Sequence, residues 1–146
     1  RGLRHVTDIP AAAQANLLVL TPGVDFRQGG AAFAPARQLI DAGAAIALAS
    51  AFDNLTCPSS SIPFVLSVAC TQMGLTPAEA LTAVTINAAA AIGRDGECGS
   101  LSAGKSADLL ILSCGDYRDL PISFGMNLIA AVIRRGEQIY PMMELT

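Results

Sequence analysis

The stretch FAPARQLIDAGAAIALAS, residues 33–50, decides the fold class. In its first part Phe33, Ala36, Leu39 and Ile40 recur at helical spacing on one face, and Gly43 stands where a helix C-terminus needs a left-handed residue. The second part, AAIALAS, is an unbroken run of small apolar residues, the pattern of a strand buried on both faces. Upstream, ANLLVL (15–20) is another such run, stopped by Thr21-Pro22-Gly23. Strand, helix, strand with short links implies a parallel βαβ unit and an α/β protein. GLRHV (2–6) reads as the tail of a further strand.

Downstream the period changes. SIPFVLSVACTQMG (61–74) has apolar residues at 62, 65, 66, 69 and 73 and closes on Gly74, which predicts a helix. TPAEALTAVTINAAAAIG (76–93) predicts one continuous helix. Thr76, Pro77 and Glu79 form a helix-start signature there, with the threonine and glutamate spaced as a capping box. The last third turns to strands. Ala103–Gly104 marks a turn before an apolar strand at 109–112, GDYRDLPISFGMN (115–127) reads as loop, and AVIRRGEQIY (131–140) as a hairpin around Arg135–Gly136.

Composition narrows the function classes. Charged residues are 14% and apolar ones 52% of the 146, against roughly 25% and 45–50% in ordinary soluble domains. Mean hydropathy is +0.49. Alanine supplies much of the excess, so surplus apolar surface is expected to be buried against another chain, or against a half of the protein itself that is not in this sequence. No window offers about 18 uninterrupted apolar residues, and RGLRHVTDIP lacks the apolar core of a signal peptide. No membrane partner is therefore expected. Net charge is −3 with no basic stripe, so no nucleic-acid partner is expected either. Cys57, Cys70, Cys98 and Cys114 form no CxxC pair, which reads as reduced thiols in a cytoplasmic protein.

The polar loop after the second strand is the candidate site. Chemistry gathers at such strand ends because a rigid strand fixes side chains that the loop leaves open. Here the loop carries Asp53, Asn54, Thr56 and Cys57, with Ala51 at the position best placed to present an acid. Asp53 by itself fits a loop carboxylate bonded to its own backbone. Cys57 has no adjoining basic residue to activate it, and Cys70 reads as packing.

The order of segments resembles a known family. TINAAAAIG (85–93) leading to GSLSAGKSADLLIL (99–112) resembles the amidohydrolase pattern, in which the last barrel helix runs into a small β-domain through G.L..GK.ADL. LTPG with Phe26, LASAF (48–52), LSVAC (66–70), LTPAEAL (75–81) and FGMN (124–127) before AVIRRG (131–136) narrow the resemblance to imidazolonepropionase. That family opens the imidazolone ring of 4-imidazolone-5-propanoate, giving N-formimidoyl-glutamate in histidine degradation. The resemblance implies the C-terminal part of a (β/α)8 amidohydrolase barrel, about strands 6–8, over residues 1–96, and part of a β-sandwich domain over 97–146. It also implies a zinc or iron ion that polarises the ring carbonyl and activates water.

The resemblance assigns residues one by one. Ala51 takes the place of the family's metal-binding aspartate, Asp53 that of a substrate-contacting asparagine, and Leu55 that of a glycine. Thr56 remains compatible with substrate binding. Asp53 is the surrogate candidate for the metal, and His5, the only histidine, for the proton-handling catalytic histidine. Lys105 and Asp108 are expected to shape the domain junction. With no H-x-H pair and Ala51 in place of the acid, this chain alone is expected to be inactive. It is read as part of a small-molecule hydrolase working as a homo-oligomer or with a chain supplying the N-terminal half. The alternatives are a non-catalytic remnant serving as a binding or assembly module, and a metabolite-binding domain.

Overall fold

The computed structural model describes residues 8–29 and 32–141. The possible strand at 2–6 lies outside them. The α/β expectation is met by two strands, β1 (Leu18–Leu20) and β2 (Ile46–Leu48), paired in parallel with Leu18 opposite Ile46 and Leu20 opposite Leu48. The pairing extends by one bond at each end, Leu18 N–H to Ala45 O at 2.9 Å and Ala49 N–H to Leu20 O at 3.0 Å. Helix α1 (Ile9–Ala13) precedes them, capped by the Asp8 carboxylate.

Between the strands lie α2 (Pro22–Arg27) and α3 (Ala36–Asp41). Only α3 follows from apolar spacing. Helix α2 corrects the reading of TPG as a mere stop: Pro22 occupies the first helical position, where its missing N–H costs nothing. Leu39 and Ala36 of α3 are fully buried, and Gly43 ends the segment with φ of 92°.

Helix α4 (Ile62–Gln72) starts at a Ser61 cap and ends before Gly74, as its spacing indicates. Val65, Leu66 and Ala69 from α4 meet Leu20, Leu39 and Leu48 in one core, closed by Met73 and Leu75. The continuous helix expected over 76–93 is instead two, α5 (Pro77–Val84) and α6 (Ile86–Ala91). The chain breaks at Thr85 (φ −114°, ψ −95°), whose hydroxyl turns back to the Leu81 carbonyl at 2.7 Å. Two tertiary contacts hold the break. The Asn87 amide donates to the Ile46 carbonyl of β2 at 2.8 Å, and Gly99 sits so close that a methyl there would lie 2.7 Å from the Ala89 Cβ.

The last third is an antiparallel sheet in the order β3 (Leu109–Leu112), β4 (Ile129–Arg134), β5 (Glu137–Tyr140). Arg135 and Gly136 both take positive φ, 52° and 83°, the two-residue turn whose twist suits a hairpin. Arginine is held there because its N–H donates to Asp108 at 2.7 Å, while the Gly136 N–H donates to Ala107 O at 3.0 Å. Lys105 donates to the Ser100 hydroxyl at 2.8 Å. Both residues therefore act within the turn structure ahead of β3. Among the described residues no helix is long and apolar enough to cross a membrane.

Candidate functional site

Parallel strands end on the same side, so the loops after β1 and β2 open together. The loop after β2 is the better defined. Strand β2 ends at Leu48, and Ala51 takes φ of 50°, a left-handed conformation that alanine rarely adopts. This turn removes the geometry behind the surrogate reading of Asp53. Residues 51 and 53 do not alternate along a strand, because the strand has already ended.

Asp53 instead organises the loop. Its N–H donates to the Cys57 carbonyl at 3.0 Å, closing a small bridge. One carboxylate oxygen accepts the N–H groups of Leu55 at 2.7 Å and Thr56 at 2.6 Å, and the other accepts the Thr56 hydroxyl. The Thr56 hydroxyl first, then these two N–H groups, hold the Asp53 carboxyl below its ordinary pKa, with a smaller contribution from the Arg27 charge. The arrangement is an Asx turn, the bland alternative raised by the sequence. It presents Leu55 to solvent with 83% of its surface exposed, beside Phe52 at 58%.

Beneath this turn the loop is anchored. Cys57, expected at an open mouth, is 3% exposed and directs its thiol to the Ser59 carbonyl at 3.7 Å. Gly23, in the first turn of α2, lies against it: a methyl at Gly23 would stand 2.7 Å from the Cys57 Sγ. Phe26 of α2 meets Phe64 of α4 edge to face at 5.1 Å. The two strand-end loops are thus packed on one another. Sequence reasoning missed Gly23, although Pro-Gly directly after a buried strand is the signal that marks it.

A second polar cluster lies elsewhere. Arg37 of α3 forms two 3.0 Å bonds to the Glu79 carboxylate of α5 and a 2.7 Å ion pair with Asp41. Glu79 also completes the capping box, accepting the Thr76 N–H at 2.8 Å. The Thr76 N–H is the main cause holding the Glu79 carboxyl below its ordinary pKa, and Arg37 adds to it. Each group is satisfied, so the cluster reads as a clamp between helices. Burial pushes the Cys70 thiol upward, in keeping with packing.

The donor set does not fit a metal ion. Among the described residues no three of His, Cys, Asp and Glu are grouped closely enough to hold one. Ala51 has no donor atom, and Asp53 already accepts three hydrogen bonds. His5 lies outside the described residues.

Residues 15–139 match the model of the amidohydrolase family. The chain belongs to the amidohydrolase family. Within it, the chain is similar to imidazolonepropionases. It is 52% identical over 105 residues to that of Parabacteroides distasonis, covering 72% of this chain and 25% of the relative. It is 42% identical over 140 residues to that of Symbiobacterium thermophilum, covering 94% and 33%. The chain thus spans between a quarter and a third of the length of these two relatives. Among solved structures, an adenosine deaminase from Xanthomonas campestris with bound zinc superposes with a TM-score of 0.80 at 19% identity, over 93% of this chain and 35% of that one. An amidohydrolase from Thermotoga maritima does so with a TM-score of 0.69 at 23% identity, over 90% and 33%. At these identities the superpositions establish the α/β fold.

Proposed function

We propose that this chain is the C-terminal portion of an imidazolonepropionase-like hydrolase. Residues 1–96 would contribute about strands 6–8 of a (β/α)8 barrel and residues 97–146 part of a β-sandwich. The proposed reaction is hydrolytic opening of the ring of 4-imidazolone-5-propanoate, in the cytoplasm. The observation that carries the reading is the 52% identity over 105 residues, joined to parallel strands whose loops open on one side.

Within that reaction, Thr56 and Asp53 shape the substrate-facing turn. The bonds that fix the turn also occupy the Asp53 carboxylate, leaving it poorly placed as a base. Zinc or iron would supply carbonyl polarisation and an activated water in such an enzyme. Asp53 would serve it as a ligand only by releasing Thr56, and His5 is the proposed proton carrier. No step is assigned to this chain through a metal, because its described residues do not form the site. We propose that activity requires ligands beyond these residues, from a chain supplying the N-terminal half, or that the chain works as a homo-oligomer and is inactive alone. Ala51, together with the saturated Asp53, favours one second reading, a non-catalytic binding or assembly module.

Native mass spectrometry with a ring-opening assay tests this. A complex carrying a second polypeptide, one zinc or iron ion and turnover supports the hydrolase. A metal-free species at 15.0 kDa or a multiple of it, without turnover, overturns catalysis and leaves the module.

A further inference from the structure

A ligand held between the two strand-end loops meets the donors and charges that they present. In the loop after β2 the donors are already taken, because the Asp53 carboxylate accepts the Leu55 N–H, the Thr56 N–H and the Thr56 hydroxyl. A second carboxylate approaching this turn meets a negative charge and occupied donors, so it needs a cation from elsewhere. The loop after β1 supplies one. Arg27 closes helix α2 and is exposed. Its charge helps to hold the Asp53 carboxyl below its ordinary pKa, which sets the two groups within electrostatic reach across the loops. The helix that carries it is fixed at two points, Gly23 against the Cys57 thiol of the β2 loop and Phe26 edge to face on Phe64 of α4.

The other described cations are engaged. Arg37 is bound to Glu79 and Asp41, Arg94 to Glu97 and Arg118 to Asp116. Lys105 donates to Ser100, and Arg134 and Arg135 sit in the C-terminal hairpin near Asp108. The Arg27 guanidinium makes no hydrogen bond or ion pair to another described residue.

We propose that Arg27 is a specificity-determining residue, whose guanidinium binds the carboxylate of a small anionic ligand held between the loops after β1 and β2. The inference rests on the hydrolase reading above, whose substrate carries a propanoate arm, and names the residue of this chain that reads that arm. A guanidinium offers a carboxylate two parallel N–H···O bonds and stays charged over the working pH range. Arg27 makes none of the bonds that hold the Asp53 turn, so it can engage a ligand without breaking that turn. A neutral ligand of the same shape gains nothing from the guanidinium, whereas an acid repelled by Asp53 depends on it. A role confined to the C-terminus of α2, where a cation is also favoured, would not tell the two ligands apart.

Isothermal titration calorimetry on the assembly isolated in the preceding experiment tests this with two probes. Imidazole-4-propanoate keeps the five-membered ring and the carboxylate but has no ring carbonyl to hydrolyse, and imidazole-4-propanamide is its neutral counterpart. The unsubstituted protein should bind the acid more tightly than the amide. Arg27→Gln should weaken binding of the acid by about 10- to 100-fold, the range for a hydrogen bond to a charged group, and leave the amide unchanged. Arg27→Lys should retain part of the preference. An Arg27→Gln protein that still prefers the acid, or that loses affinity for both ligands alike, overturns the assignment, the second result marking a structural role. Failure of the unsubstituted protein to bind either probe also overturns it. Absence of ring opening with the expected acid–amide pattern intact overturns the hydrolase reading alone. Ring opening with the preference unchanged in Arg27→Gln overturns the role of Arg27 alone.

Discussion

Replacing Gly23 by alanine tests how the candidate site is held together. Gly23 is helical and lacks a positive φ, so alanine would by itself favour α2 by up to about 1 kcal/mol. The new methyl, however, would lie 2.7 Å from the Cys57 Sγ, with the Ser50 carbonyl at 3.6 Å and Phe64 at 3.9 Å limiting its escape. Comfortable carbon contacts need about 3.5–4.0 Å, and such overpacking costs about 1–3 kcal/mol. The net expectation is a loss of about 0–2 kcal/mol once the helix preference is subtracted.

Cys57→Ala removes the obstructing sulfur, at about 0.5–1.5 kcal/mol for a small cavity. In that background Gly23→Ala should become neutral or stabilising, a coupling of about 1–3 kcal/mol between the two sites. Urea unfolding of the four proteins, followed by circular dichroism, measures it. Equal costs of Gly23→Ala with and without the sulfur would refute the claim that this contact joins the two strand-end loops.

Three further outcomes are expected. Leu39→Ala empties a fully buried position in α3 and should destabilise by about 2–5 kcal/mol in the same urea assay. Thr76→Ala removes the side chain that accepts the Glu79 N–H and should lower stability by about 0.5–2 kcal/mol. Because the folded Glu79 carboxyl is held below its ordinary value of 4.5, its contribution is present above that pH and fades as acid carries the protein through the lower folded value. Glu79→Gln should therefore flatten the acid limb of a stability-against-pH curve; an unchanged limb counts against the Arg37–Glu79–Thr76 clamp.

The strand and helix pattern was legible wherever local signals agreed. Thr76 and Glu79 form the capping box that their spacing announces, and Arg135–Gly136 makes the hairpin turn. Helix α2 was harder to see, because its single short stretch PGVDFR has no repeating apolar face. The break at Thr85 was invisible for a different reason. It depends on Gly99 and on the Asn87 bond to Ile46, contacts made with residues remote in sequence.

At the site, the sequence with its family resemblance already disclosed that Ala51 offers no ligand, since the resemblance implies a ligand position there and alanine has no donor atom. It also supplied both readings of Asp53, without choosing between them. The choice required the backbone. Ala51 turns left-handed and β2 stops at Leu48, so the Asp53 carboxylate meets Leu55 and Thr56 of its own loop. Periodicity, capping residues and missing donors are properties of neighbouring residues, so the chain determined them by itself. The burial of Cys57 under Gly23 and the split of α5 from α6 arise when distant segments meet, and only the tertiary structure decided those.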